Sequence, residues 1–299
     1  MNGKELEKYK NEYLEIPVPE ELEFIVKRSL KEGKKKMKKK SIMKRFNVAA
    51  ASVAASIALI TVGINSSPAF ANTLSNVPGL GGIVQVLTFR EYKVDEDTYN
   101  ANIKTPSIQG LDNKELEASL NEKYLEENER LYKEFQEGME NMKNLGGGHL
   151  GVDSGYVIKT DNDKILSIGR YTVNTVASSS TVFEYDTIDK EKEILITLPS
   201  LFKDDSYIDL ISENVKAQMI EQMEADENKI YWVQGRDDDS TVELFDEISK
   251  DQNFYITPDN KLVISFDKYE VAPGYMGVVE FTIPTDAISN ILVSNEYVN

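Results

Sequence analysis

Hydrophobic positions change their rhythm along this chain. In residues 1–45 they are sparse and cluster once. From Phe46 to Ile64 they run almost unbroken, as FNVAAASVAASIALITVGI. Beyond residue 74 they alternate or recur at helical spacing. Ile83, Val84, Val86 and Leu87 lie between glycine breaks and polar residues and predict a strand within 74–89. The stretch REYKVDEDTYNANIKTPSI continues in extended style. Leu116, Leu120, Tyr124, Leu131 and Phe135 keep one helical face, which predicts a helix from Asn113 to Lys143. Gly146 to Gly151 reads as a hinge or loop. Two alternating runs follow about Asp161-Asn162-Asp163, a hairpin turn, and TVFEYDTIDKEKEILITL repeats the pattern. Ile208, Ile211, Val215, Met219 and Met223 predict an amphipathic helix. The end, from Asn253 to Pro284, reads as another hairpin-like set. Strands and helices in separate runs predict an α+β domain with an antiparallel sheet and packed helices.

The apolar run of 19 residues is close to the ~20 that cross a bilayer as a helix. It is rich in alanine and interrupted by Asn47, Ser52, Ser56 and Thr61. Its eight larger apolar residues together favour insertion by about 2–5 kcal/mol. The alternative is a buried soluble helix. Upstream, Pro19 suits a first helical turn, with Glu20, Glu21 and Glu23 near its positive end. Leu22, Ile25, Val26 and Leu30 then form one apolar face, and Gly33 stops the helix. A head this short cannot bury a core of its own. The face therefore meets either a lipid surface or the groove of a cytoplasmic protein.

Charge divides the chain at the same place. Residues 1–45 carry 14 Lys+Arg and 8 Asp+Glu, a net of +6, and residues 46–72 carry none. The whole chain has 34 Lys+Arg and 51 Asp+Glu, which leaves 20 against 43, a net of −23, for the rest. The basic run Lys34 to Arg45 precedes the span, and no positive charge follows until Arg90. Positive flanks stay in the cytoplasm, so residues 1–45 are expected inside and 65–299 outside. The same run can contact anionic lipid. A few residues past the span, Ala69-Phe70-Ala71 has the small-x-small pattern that a signal peptidase cuts, before Asn72. An ordinary signal peptide has a short basic region in front of its apolar core, whereas here 45 residues precede it.

The residue inventory narrows the chemistry. There is no cysteine, so thiolate metal sites and a cysteine nucleophile are excluded. The one histidine, His149, follows three glycines and reads as a loop residue. No catalytic constellation emerges. Asp237-Asp238-Asp239 lacks EF-hand spacing and reads as a solvated loop. Pairs such as Glu184 and Asp186 do not stand out in so acidic a chain. In the turn Ala272-Pro273-Gly274-Tyr275-Met276-Gly277, the aromatic and the thioether either fold back onto the core or form an exposed anchor.

This order resembles the RsiV-type anti-sigma factors of Gram-positive bacteria. The resemblance rests on the Ile16-Pro17-Val18-Pro19-Glu20-Glu21-Leu22 head, the basic stop, one span, Ser67-Pro68-Ala69-Phe70-Ala71 and an acidic exterior domain. KLVISFDKYEVAPGYMG is similar to the hallmark of the DUF3298 module, which in this family follows a DUF4163-like region. The resemblance implies a division into head 1–45, span 46–64, juxtamembrane segment 65–88 and sensor domain 89–299. It implies a non-enzymatic protein without cofactor or metal. Its partners would be an extracytoplasmic-function sigma factor, lysozyme, signal peptidase and a site-2 intramembrane protease. Ala69 and Ala71 would flank the cleavage with Asn72, and Leu22, Ile25, Val26 and Leu30 would form the sigma-binding face. Ser178, Ser179 and Ser180 with Pro273 and Tyr275 would meet lysozyme. Two other readings stay open: a membrane-anchored cell-wall binding or remodelling module without signalling, and an anti-sigma factor that senses another ligand.

Overall fold

The computed structural model describes residues 84–233 and 242–299. The head with Leu22, Ile25, Val26 and Leu30, the span, the triplet with Ala69, Ala71 and Asn72, and Asp237 to Asp239 lie outside the described residues. Among the described residues no helix is long and apolar enough to cross a membrane.

Strand β1 (Gln85–Glu96) turns at Asp97-Thr98 into β2 (Tyr99–Gln109). Helix α1 (Lys114–Asn144) begins where expected, with Asn113 as its N-cap and the Asn113 side chain accepting from Leu116 N–H at 3.1 Å. Then come β3 (Leu150–Asp161), β4 (Ile165–Thr175), β5 (Ser179–Asp189) and the short β6 (Ile194–Ile196). These six form one sheet in sequence order. The expected hinge is shorter than the glycines suggested, because Leu150 and Gly151 already pair with Tyr99 and Asn100.

That pairing also corrects the expectation of a wholly antiparallel sheet: β2 and β3 are parallel. The reason is the connection. A 31-residue helix between two neighbouring strands carries the chain back to the starting edge, so the second strand runs the same way as the first. The other neighbours in this sheet are antiparallel.

Side chains alternate across a strand, so each strand gives one set to α1 and one to the opposite face. Tyr99, Ala101, Ile103 and Val152 meet Phe135 of α1, and Leu166, Ile168 and Ile188 meet Leu120 and Tyr124. On the opposite face, at the β4–β5–β6 end, sits a second layer. It contains α2 (Tyr207–Ala225), strands β7 (Phe254–Ile256), β8 (Leu262–Phe266) and β9 (Val279–Ile283), and the short α3 (Thr285–Ile288). Ile211, Val215, Met219 and Met223 of α2 are all buried in this layer, as their spacing required. Ile165 and Ile196 reach into the same core.

A buried polar chain threads the middle of the helix-covered face. Asn128 of α1 donates to Thr105 Oγ1 at 3.0 Å and accepts from Ser154 Oγ at 3.5 Å. All three side chains are buried. Asn128→Ala would take the amide from Thr105 and leave Ser154 with only Thr172 Oγ1, at 3.5 Å. It is expected to destabilise the domain by about 1–3 kcal/mol, seen as a lower urea midpoint with an unchanged m-value. Leu145→Ala, at a nearly fully exposed position, is expected to stay within about 0.5 kcal/mol of wild type.

Candidate functional site

The β4–β5 turn and the long loop between β8 and β9 meet at one end of the molecule. Ser178 is exposed in the turn, and Ser179 and Ser180 open β5, half-buried. The loop reaches them through Lys268, whose backbone N–H donates to Thr181 O at 3.1 Å and whose ammonium donates to Ser179 Oγ at 2.8 Å. Next to it the Tyr269 side chain lies across Gly274: a Cβ at that glycine would come within 2.2 Å of the ring. Only glycine allows this approach. Gly274 opens a short 3-10 turn, Gly274–Met276, that follows Pro273. Ser178, Ser179 and Ser180 and the pair Pro273 and Tyr275, nearly a hundred residues apart in sequence, are thus linked through Lys268, Tyr269 and Gly274. Lys268 and Tyr269 were not singled out from sequence. The available signal was an aromatic five residues before a glycine in a loop with no apolar period.

Tyr275 resolves the alternatives left open for its turn. The residue is 64% exposed, while its hydroxyl donates to Asn228 O at 2.8 Å. Met276 packs against the core instead. An exposed ring tethered by its hydroxyl loses little further freedom on binding, the character of an interface anchor. Tyr269 is 44% exposed and holds a positive φ of 76°. That backbone region is costly for a bulky side chain and is tolerated where the surroundings over-determine it. Here Asp267 and Glu270 do so. Asp267 N–H donates to Glu270 Oε2 at 2.6 Å, and Glu270 Oε1 accepts from Gln252 at 3.0 Å. Asp267 in turn accepts from Phe183 N–H of β5 at 2.8 Å.

The remaining candidates have structural places. Glu184 and Asp186 hold the half-buried Arg170, at 2.7 and 3.2 Å, and Glu127 of α1 completes the ion network. His149 is exposed in the loop before β3. Among the described residues, no three His, Asp or Glu side chains are grouped to hold a metal. The site offers exposed aromatic rings, hydroxyls and one lysine on a tied-down loop, which is the chemistry of macromolecular recognition.

Fold and site therefore define an α+β domain that presents an exposed, tied-down aromatic loop. The family model described as "Protein of unknown function (DUF3298)" matches residues 199–286, which hold the loop with Tyr269 and Tyr275. A second, "Domain of unknown function (DUF4179)", matches residues 38–132 and so overlaps only the start of 89–299, where the resemblance implied a DUF4163-like region ahead of DUF3298. The chain is 48% identical over 295 residues to the anti-sigma-V factor RsiV of Bacillus subtilis, covering 99% of each. The chain belongs to the RsiV family of anti-sigma factors, and is a regulatory protein rather than an enzyme. Two solved DUF3298 proteins are also similar. One from Bacteroides fragilis is 18% identical with a TM-score of 0.49, over 72% of this chain and 96% of its own. One from Pseudomonas aeruginosa is 12% identical with a TM-score of 0.48, over 73% and 97%.

Burial raises the Asp267 carboxyl to about 6; the Phe183 N–H opposes this, and Glu270 and Glu184 add to it. The folded state thus holds this proton more tightly than the unfolded chain, whose aspartate titrates near ~3.9. The group's stabilising contribution is present below about 3.9 and is lost as pH rises through about 6. Asp267→Asn keeps the acceptor and removes the titration. The urea midpoint of wild type is expected to fall more between pH 5 and 7.5 than that of Asp267→Asn, and equal slopes would refute the assignment.

Proposed function

We propose that this protein is a single-pass transmembrane anti-sigma factor that sequesters an extracytoplasmic-function sigma factor and serves as a lysozyme receptor. The observation that carries this reading is the end-to-end identity of 48% with an anti-sigma-V factor. Residues 1–45 lie in the cytoplasm and hold the sigma factor through Leu22, Ile25, Val26 and Leu30. Residues 46–64 cross the cell membrane, 65–88 carry the cleavage site, and 89–299 form the extracellular sensor. Ligand binding exposes the bond between Ala71 and Asn72, with Ala69 also read by signal peptidase. A site-2 protease then cuts the alanine-rich span and frees the sigma factor.

Three features support the sensor step. The exterior net charge of −23 attracts a cationic enzyme such as lysozyme. Tyr275 and Tyr269 supply exposed rings on a tied loop beside Ser178, Ser179 and Ser180. Val84, Val86 and Leu87, at the end of the juxtamembrane segment, are packed into or against the domain, so a ligand-driven change in β1 would reach the cleavage triplet along one chain.

Lysozyme added to cells is expected to remove the full-length protein on a blot within minutes, and Ala71→Trp is expected to block the loss. Cleavage without lysozyme, or none with it, would rule out lysozyme as the trigger. Tyr275→Ala is expected to raise the lysozyme concentration needed by about tenfold or more. In a reporter assay, the double change Leu22→Asp and Val26→Asp is expected to switch on sigma-dependent transcription without lysozyme. An unchanged reporter would favour a wall-binding module with no signalling role.

A further inference from the structure

The large sheet has two faces, and α1 covers one. The small sheet covers part of the other, at the end where Thr160 and Ser167 hydrogen-bond to Ile256 O. At the β1–β2–β3 end that second face is open. There it forms a groove of about 320 Å³, floored by Gly151 and walled by Asn100, Asn102, Asp153 and Thr175.

Beside the groove runs a row of aromatic rings. Tyr171 of β4 pairs directly with Gly155 of β3 and with Phe183 of β5. Tyr185 pairs directly with Gly169. Ring centroids are 5.9 Å apart for Tyr171–Phe183 and 5.5 Å for Phe183–Tyr185. A Cβ at Gly155 would lie 2.8 Å from the Tyr171 hydroxyl, and one at Gly169 would lie 2.8 Å from the Tyr185 ring. The missing side chains let both tyrosines lie down across the sheet. Covering a strand glycine with a neighbouring aromatic stabilises a sheet by itself, but it also leaves a broad ring face turned outward. At the far end this strip is already stacked, since the Lys159 ammonium lies 4.6 Å from the Tyr255 centroid and pairs with Glu280 at 2.6 Å. The same ammonium lies 5.7 Å from the Tyr185 centroid and 5.9 Å from that of Phe183, so Tyr171, half-buried and beside the groove, is the ring of this row farthest from that cover.

From the geometry we infer that this face is a binding site for an uncharged glycan, a chain of β-linked pyranose rings whose C–H faces stack on Tyr171 and Phe183 while their hydroxyl and amide groups bond to Asn100, Asn102 and Thr175. The chemistry selects this class over others. Lys93 and Asp95 on the groove rim balance, and the Asp153 carboxylate is occupied by the Asn102 amide at 2.9 Å and by its contact with the Tyr171 phenol. Asp153 keeps its charge, but among the described residues no group of three acidic or histidine side chains stands there to hold a cation, and an anionic polymer is repelled by the exterior net of −23. A β-strand ligand would need a free edge, and this is a face. The groove adjoins the lysozyme-binding turn proposed above, since Thr175 pairs with Ser179, but the inference does not rest on that reading, and its test uses Tyr171 and Asn100, which lie outside the turn.

The test is ligand-observed NMR on the full chain in phospholipid nanodiscs, with the tetramer of N-acetylglucosamine as probe and a decalysine peptide as comparison. The tetramer is expected to show saturable transfer at millimolar concentration, retained in Tyr171→Phe. Tyr171→Ala is expected to weaken it about tenfold. Because that change also uncovers Gly155, Asn100→Ala, at an exposed and structurally undemanding position, is the second variant and is expected to weaken it about threefold. The proposal is overturned if wild type shows no saturable signal. It is equally overturned if both alanine variants bind as wild type does, or if decalysine binds instead and its signal is lost with the same variants.

Discussion

A guanidinium can be taken out of water only where opposite charges surround it, and Arg170 meets that condition at the junction of two layers. It donates to Glu184 and Asp186 on the neighbouring strand and to Glu127 on α1, with the Tyr124 ring 4.4 Å beneath. Removing Arg170 would take the shared guanidinium from Glu127 of α1 and from the buried Asp186 of β5, so the register of β4 on β5 and the seating of α1 on the sheet are coupled. Once α1 is seated, it closes one face of the sheet along its length. The second layer must then form on the opposite face, where it leaves the β1–β2–β3 end uncovered.

Placement of the β8–β9 loop follows from that arrangement. The β8–β9 loop is long and bears two exposed tyrosines, yet it is not left to solvent. Lys268, Asp267 and Asn253 bind it and its neighbours to β5, with Asn253 donating to Phe183 O at 2.8 Å. Hydrogen bonds to a strand edge fix a loop more firmly than contacts with other loops do. They also join the loop that carries Tyr275 to the large sheet.

Much of this was legible in the chain. The start of α1 was marked by an asparagine before a helical stripe, the β3–β4 turn by Asp161-Asn162-Asp163, and the buried face of α2 by Ile211, Val215, Met219 and Met223. These are local signals, set by capping, turn chemistry and periodicity, and they need no knowledge of distant residues. The glycines after α1 were read one step too generously, because Gly151 looks like a loop residue until β2 is seen beside it. In the same way Glu184 and Asp186 were two carboxylates among many until Arg170 and Glu127 were placed next to them.

The sequence by itself determined the division of the chain into a basic head, an uncharged apolar run and an acidic α+β domain. Charge, hydropathy and local periodicity are properties of neighbouring residues, so they can be read without a fold. The tertiary structure alone decided the parallel β2–β3 pair and the joining of Ser178, Ser179 and Ser180 to the loop of Tyr275 through Lys268 and Tyr269. It also decided the laying of Tyr171 and Tyr185 over Gly155 and Gly169. Each of these depends on which strands lie side by side, and strand pairing is settled by long-range packing between residues that share no local pattern.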